Sequence, residues 1–389
     1  MFNRLLLDIN VQEFVRNFEE DISKLAFAGS PFNDISVQEL MHQIEGRRKI
    51  EKKLPHWFQT PNIIFPPKLN LEQTSSEITA KYKSSIIKGA TLADITGGFG
   101  IDSFFFSEKF STVHHFELNL ELSEIANHNF KILGNKNISC FVEDGLKTVL
   151  KSEYDVIYAD PSRRDDKKEK VFFLKDCQPN IPEYIAEILE HCDTLLLKTS
   201  PMLDISVGLK ELHNVSEIHI VAVENEVKEL LWLLKKESGN EPLIKTVNFT
   251  KSGLELFNFL WNETAEAELS LPEKYLYEPN AAILKSGGFN LVSEKLKLNK
   301  LHKNTHLYTS EELLNFPGRI FLIKDVVPYN KSAIKSVLNF KKANIAIRNF
   351  PESVDVLRKK WKISDGGDIY LFFATDKADK KIMIICSKI

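Results

Sequence analysis

From residue 91 onward, short apolar runs alternate with helix-forming stretches, and this alternation constrains the fold of the 389-residue chain more than any other feature. The runs are Leu92–Ile95, Val113–Glu117, Ser139–Val142, Val156–Ala159, Thr194–Lys198, Ile218–Val223 and Lys245–Phe249, and helical segments separate most of them. Strand and helix in repetition imply a mostly parallel sheet with helices on both faces. Ligands of such sheets bind beyond the carboxyl ends of the strands. The residues that close each run are therefore the candidate functional residues.

The first run leads into a glycine-rich turn, DITGGFGID, with a helix predicted from about Ile101. Gly97, Gly98 and Gly100 permit positive φ and close approach of a ligand to the backbone. The start of the helix offers N–H groups to a negative group such as a carboxylate. Alone, this turn would serve a dinucleotide equally well, or simply reverse the chain. Ser103 stands where the third glycine of GxGxxG would be, and no GK[ST] follows to make a P-loop.

The second run ends at Glu117, where a carboxylate can accept hydrogen bonds from both hydroxyls of an adenosine ribose. The third ends at Asp144, followed by Gly145, where an acid can accept from the exocyclic amine of adenine. Each acid alone is ordinary surface chemistry; in succession, at the ends of adjacent strands, they fit an adenosine-bearing cofactor. A dehydrogenase shares the ribose acid but needs neither the second acid nor the next motif. That motif is YDVIYADPSRR, in which a strand passes directly into Asp160-Pro161. Proline fixes φ, so the aspartate and the following carbonyl are held rigidly where they can orient an acceptor atom. Asp-Pro is also a common turn opener. Two positions after the proline, where an aromatic residue would stack on a base, the chain has Arg163, followed by Arg164. Arginines there can clamp a phosphate or carboxylate.

Outside this core, Phe14, Phe18, Ile22 and Leu25 recur at helical spacing and predict one apolar helix face. Ser36 can cap a second helix carrying Arg47, Arg48 and Lys49. Pro55, Pro61, Pro66 and Pro67 predict an extended connector. Ser75 or Ser76 can cap a helix through Tyr82, while Gln73, Thr74 and Ser75 could equally fold over a cofactor. Lys198 to Pro201, and Glu224 to Glu226, either line the ligand side or are plain loops. Near the C-terminus, YLYEPNAAILKSGG reads as a turn and a helix, Gly318–Val326 and Ala343–Arg348 as strands, Lys331–Phe340 and Ser353–Trp361 as helices, and Asp368–Ile385 as a hairpin. Arg319 to Lys362 is rich in lysine and arginine, with Phe340, Phe350 and Trp361 interleaved, in a chain of net charge −3. That suits a phosphate-contacting surface, or else two amphipathic helices with solvated lysines. Cys140, Cys177, Cys192 and Cys386 form no CxxC pair, and the ten histidines have no metal spacing, so no metal site is expected. No run approaches a membrane span.

Asp94, Gly98 and Gly100, with Thr96 in place of the first glycine, follow the acid-and-glycine pattern of class I methyltransferases. Together with KLPHW, LNLEQTSSEITAKYK, ADPSRR, KTSPMLD, VENEVKELL, YLYEPN, ANIAIRNFP and DGGDIYLF, they give a chain that resembles, over nearly its whole length, a bacterial family of class I S-adenosylmethionine-dependent methyltransferases with a THUMP-like C-terminal domain. The resemblance implies an α/β fold: a helical region (1–75), a Rossmann-like core (76–262), and α+β ferredoxin-like (263–323) and THUMP-like (324–389) domains. It implies S-adenosyl-L-methionine bound by Asp94, Thr96, Gly97, Gly98, Gly100, Asp102, Glu117, Asp144, Gly145 and Asp160. Asp160, Pro161 and Arg163 would stand on the reacting side. The expected activity is methyl transfer to RNA (tRNA or rRNA) in the cytoplasm, with Lys341, Lys342 and Arg348 on the RNA. The alternatives are a small-molecule or protein acceptor, or an RNA-binding protein with an idle core; the oligomeric state stays open.

Overall fold

A computed structural model describes residues 2–163, 173–238 and 241–389. The chain folds as two compact units, Met1–Ser216 with Leu231–Asn240, and Glu217–Leu230 with Glu241–Ile389.

The first unit begins with helices α1 (Ile9–Asn17), α2 (Ile22–Ala28), α3 (Val37–Ile50), α4 (Pro55–Gln59), α5 (Lys68–Gln73) and α6 (Glu77–Ser85). Phe14, Phe18, Ile22 and Leu25 do not share one helix. The chain leaves the helix at Phe18, and Asp21 caps a new one by accepting from the Ser23 N–H. Of the prolines expected in an extended connector, Pro55 instead opens α4, at a position whose N–H has no helical partner to lose, while Pro61, Pro66 and Pro67 do lie in the non-helical stretch before α5. Ser36 closes a capping box with Glu39, and Ser76, not Ser75, closes one with Thr79.

Strands β1 (Thr91–Asp94), β2 (Thr112–Phe116), β3 (Ile138–Phe141), β4 (Tyr154–Ala159), β5 (Ser162–Arg163), β6 (Cys177–Gln178) and β7 (Cys192–Thr199) follow, with α7 (Ile101–Ser107), α8 (Leu120–Ile132), α9 (Gly145–Val149), α10 (Ile181–Glu190) and α11 (Ile205–Glu211) between them. The central strands lie in the order β7-β4-β1-β2-β3, every neighbouring pair parallel. The burial of β1 and β4 on both faces explains their continuous apolar sequence. One hydrophobic cluster joins Leu40, Trp57, Phe65 and Leu71 of the N-terminal region to Phe99, Phe104 and Phe130 beside α7 and α8. The N-terminal helices thus belong to the same core as the sheet.

Glu224 and Asn225, in the second unit and both at positive φ (49° and 64°), join β8 (Val215–Val223) to β9 (Glu226–Leu234). This is a two-residue hairpin turn, and the Asn225 amide N–H donates to Asn248 Oδ1. The Glu224–Glu226 segment is accordingly a strand connection, not a ligand loop, and Glu226 pairs with Lys228. Strands β10 (Leu243–Thr250) and β11 (Gly253–Leu260) continue beside β8. Then come β12 (Tyr275–Pro279), α12 (Ala281–Ser286), α13 (Phe289–Leu296), β13 (Asn299–His302), β14 (Thr305–Ser310), β15 (Gly318–Pro328), α14 (Lys331–Val337), β16 (Asn344–Arg348), α15 (Val354–Trp361), β17 (Ile369–Thr375) and β18 (Lys381–Lys388). These strands form one sheet in the order β13-β14-β12-β15-β18-β17-β16. YLYEP, read from sequence as a turn, is a strand between β14 and β15. No described helix is long and apolar enough to cross a membrane, and all four cysteines are unpaired.

Candidate active site

The loops at the carboxyl ends of β1, β2 and β4 are tied to one another by short hydrogen bonds. The turn after β1 takes positive φ at Gly98 (56°) and Gly100 (86°). Gly97 does not, and its smallness has another cause: a Cβ there would stand 2.2 Å from the His115 ring. Gly145 is glycine for a similar reason, since a Cβ would meet the Ile95 backbone at 2.7 Å. At Gly98 a Cβ would meet only the Thr96 carbonyl oxygen, at 3.8 Å, so the space above the turn is open.

Thr96 explains its own departure from glycine. Its N–H donates to Asp94 Oδ1 (3.1 Å) and its hydroxyl accepts from the Asp160 N–H (2.7 Å), which couples the glycine turn to the Asp-Pro turn. Ser103 likewise does what a third glycine would not. Its hydroxyl donates to Asp94 Oδ2 (2.6 Å) and lies 3.0 Å from His115 Nδ1. Asp94 and His115 are both buried, so Asp94 braces the turn from beneath. Burial pushes the Asp94 carboxyl up to about 7 and the His115 imidazole down to about 4.

An unfolded aspartate ionises near 4. Asp94 therefore contributes stability that is present below about pH 4 and is lost as pH rises through about 7. Asp94→Asn is expected to flatten that loss, and melting temperatures measured from pH 4 to 8 check it; parallel curves for mutant and wild type would contradict it.

Glu117 lies just past β2. Its Oε2 accepts from the Gly98 N–H (2.9 Å) and its Oε1 from the Asn119 N–H (2.8 Å), so the carboxylate is fixed against the glycine turn with further lone pairs unused. Asp144 caps α9, accepting from the Lys147 N–H, and its other oxygen pairs with the Lys147 ammonium at 3.1 Å. Asp160 directly follows β4, with a side chain 33% exposed, and forms an ion pair with Lys198, whose side chain is 13% exposed. The two residues meet because β4 and β7 are parallel neighbours, with Ala159 opposite Leu197. Pro161 is half-buried, and Ser162 and Arg163 pair with Gln178 and Cys177. Arg164 lies outside the described residues.

Asp102 is placed differently from a surface ligand. It accepts from Ser75 Oγ (2.9 Å) and Tyr158 OH (2.7 Å) and pairs with the buried Lys83 (3.3 Å). Thr199, the last residue of β7, is also withdrawn, accepting from the Trp232 indole at 2.9 Å. Lys83, Tyr158 and the Lys198–Asp160 pairing were not singled out from sequence. A helix of mixed polarity such as EITAKYKSS gives no sign that one of its lysines points inward, although Lys83 falls within the LEQTSSEITAKYK segment.

In the second unit, Lys341 and Lys342 are exposed and take part in no ion pair among the described residues. Arg348 is a correction: with Arg319 it grips the buried Glu278, and it also donates to the Ile347 carbonyl. Its guanidinium holds the sheet together before it holds any ligand. Phe340, Phe350 and Trp361 are also core partners, packed with Val327, Leu357 and Phe373, so the interleaved aromatics are not a stacking surface.

The strand order β7-β4-β1-β2-β3 is that of a class I methyltransferase-like sheet. A crystal structure from Porphyromonas gingivalis W83, provisionally named a methyltransferase, matches this chain with 32% identity and a TM-score of 0.88, covering 100% of this chain and 99% of its own. A ferredoxin-like domain family matches residues 275–317, and a THUMP domain-like family matches residues 318–388. The chain belongs to this methyltransferase-like family with ferredoxin-like and THUMP-like C-terminal domains. A Streptococcus mutans protein determined in complex with SAH is 16% identical over 41% of this chain and 97% of its own, at a TM-score of 0.31. An rRNA methylase from Streptococcus thermophilus is 15% identical over 41% and 96%, at 0.30. Likenesses of that size carry nothing about this chain's activity. Comparison with the curated proteins gives no match.

Proposed function

We propose that the chain is an S-adenosylmethionine-dependent methyltransferase acting on RNA. The observation that carries this reading is the single hydrogen-bonded assembly at the carboxyl edge of the first unit, in which Glu117 is pinned to the Gly98 N–H and Asp160 to Thr96. An acid suited to a ribose and an Asp-Pro turn suited to an acceptor thereby flank one glycine turn with open space above it. These residues fit the cofactor, which supplies an electrophilic methyl group on a sulfonium.

Glu117 accepts from the ribose hydroxyls, and Asp144 from the adenine amine. Asp160, held in place by Lys198, orients the acceptor and takes up the proton that it releases. Positioning supplies much of the rate of an in-line displacement. The RNA part of the reading is supported by the THUMP-like match over residues 318–388 and by the exposed Lys341 and Lys342.

Glu117→Ala is expected to weaken cofactor binding by roughly 1.5–3 kcal/mol, the worth of hydrogen bonds to a charged group. Calorimetry with S-adenosylhomocysteine measures it. A wild-type protein with no affinity for either form of the cofactor would overturn the proposal.

A further inference from the structure

Strand β11 is hydrogen-bonded on one side only, to β10, and its other edge has no strand partner among the described residues. Its sequence, GLELFNFL, alternates between two faces. Phe257 and Phe259 are buried, and a Cβ on Gly288 at the start of α13 would stand 2.7 Å from the Phe259 ring, so that face is covered. Leu254, Leu256 and Leu260 lie on the other face and are 50%, 52% and 43% exposed. Asn258 shares their face, and Lys245, opposite it on β10, is already neutralised by Glu217.

The backbone of this edge is open as well. The Gly253 and Phe257 carbonyls accept from the Thr250 and Thr246 hydroxyls of β10, so these two residues aim their polar groups at β10. In an antiparallel ladder alternate residues aim the opposite way, which leaves the N–H and C=O of Leu254, Leu256 and Asn258 pointing outward. Leu260 belongs to the same set, but Glu263 takes both of its groups. The other outer strands of the large sheets are protected: β3 has only four residues, β13 is bulged between Lys300 and His302, and β16 is half-buried throughout. β11 has eight residues in unbroken register and contains neither proline nor lysine. Such an edge is a template for a further strand.

We infer that β11 is a homodimer interface, where it pairs antiparallel with β11 of a second copy about a two-fold axis through Leu256. An antiparallel ladder has this symmetry, so the strand is its own complement. The outward N–H groups of Leu254, Leu256 and Asn258 then donate to the outward carbonyls of the same residues in the other copy. Leu256 faces its own equivalent, Leu254 faces Asn258, and Leu254 and Leu260 lie diagonally across from each other, within side-chain reach. A foreign peptide would have to supply a matching apolar strand; a second copy brings one.

Sedimentation equilibrium of the full-length protein is the test. The wild type is expected to form a reversible dimer below about 100 μM. Leu256→Lys and Leu256→Glu, each at an exposed position that leaves the fold intact, should each weaken dimerisation about tenfold or more, because each sets like charges opposite one another at the axis. An equal mixture of the two should associate more tightly than either alone, and salt should erase that gain. Leu256→Pro, which removes only an N–H that no ladder bond of the monomer uses, should abolish the dimer by a separate route. A wild type that stays monomeric over this range would overturn the proposal. So would a dimer that all three variants leave unchanged, since the copies would then meet elsewhere. Charge variants that weaken the dimer but gain nothing on mixing would overturn the pairing of Leu256 with itself.

Discussion

Asp160→Ala is expected to slow methyl transfer by about 10²- to 10⁴-fold, the range over which a positioned acid or base acts, while cofactor affinity stays nearly unchanged. Asp160 contacts no part of the cofactor-side assembly through its carboxylate: its backbone N–H, which the mutant retains, makes the bond to Thr96. The side chain is spent instead on Lys198, at the end of the neighbouring parallel strand. An interaction felt mainly in the transition state lowers the rate more than it lowers binding. Alanine leaves the Lys198 ammonium without its carboxylate in a mostly buried position, so Asp160→Asn is the companion variant, retaining the volume but not the charge. Single-turnover rates with methyl-labelled cofactor, beside S-adenosylhomocysteine affinities, separate the two effects. An unchanged rate would remove Asp160 from the chemistry.

The second large effect concerns the THUMP-like region. Reversing Lys341 and Lys342 to Glu is expected to weaken RNA binding steeply at low salt and to leave cofactor binding alone. Both side chains are exposed, and among the described residues neither is taken by an ion pair, unlike Arg348, Arg358 and Lys360, which are held by Glu278, Asp365 and Glu352. Each phosphate contact on a single strand contributes roughly 0.7 to the slope of log affinity against log salt, so losing two should flatten it by about 1.4. Affinity for bulk tRNA at several salt concentrations is the measurement. Equal affinities and equal slopes would make these lysines ordinary solvated surface, and a small-molecule or protein acceptor would then be the better reading.

The parts legible in the sequence were those with local causes. Runs such as VIYA read as buried strands because both of their faces are covered, and the acids at Glu117, Asp144 and Asp160 could be placed from strand ends alone. The hairpin at Glu224–Asn225 was missed because its two positive-φ residues are not glycine, and the apolar ELLWLL of β9 consequently went unassigned. Pro55 pointed to an extended connector, although a proline at the first position of α4 is compatible with the helix. Pairings between distant residues left no trace: Arg348 finds Glu278 seventy residues away, and Lys83 finds Asp102 only because α6 packs on α7. Basic and aromatic residues alternating along the tail looked like an RNA surface, but the aromatics face the core and only some of the lysines are unpaired.

The most direct test is mass spectrometry of nucleosides from the RNA of cells with the gene, without it, and complemented with either the wild type or Asp160→Ala. The account predicts one methylated nucleoside that disappears with the gene, returns with the wild type and does not return with the mutant. Identical nucleosides in all four samples would contradict it.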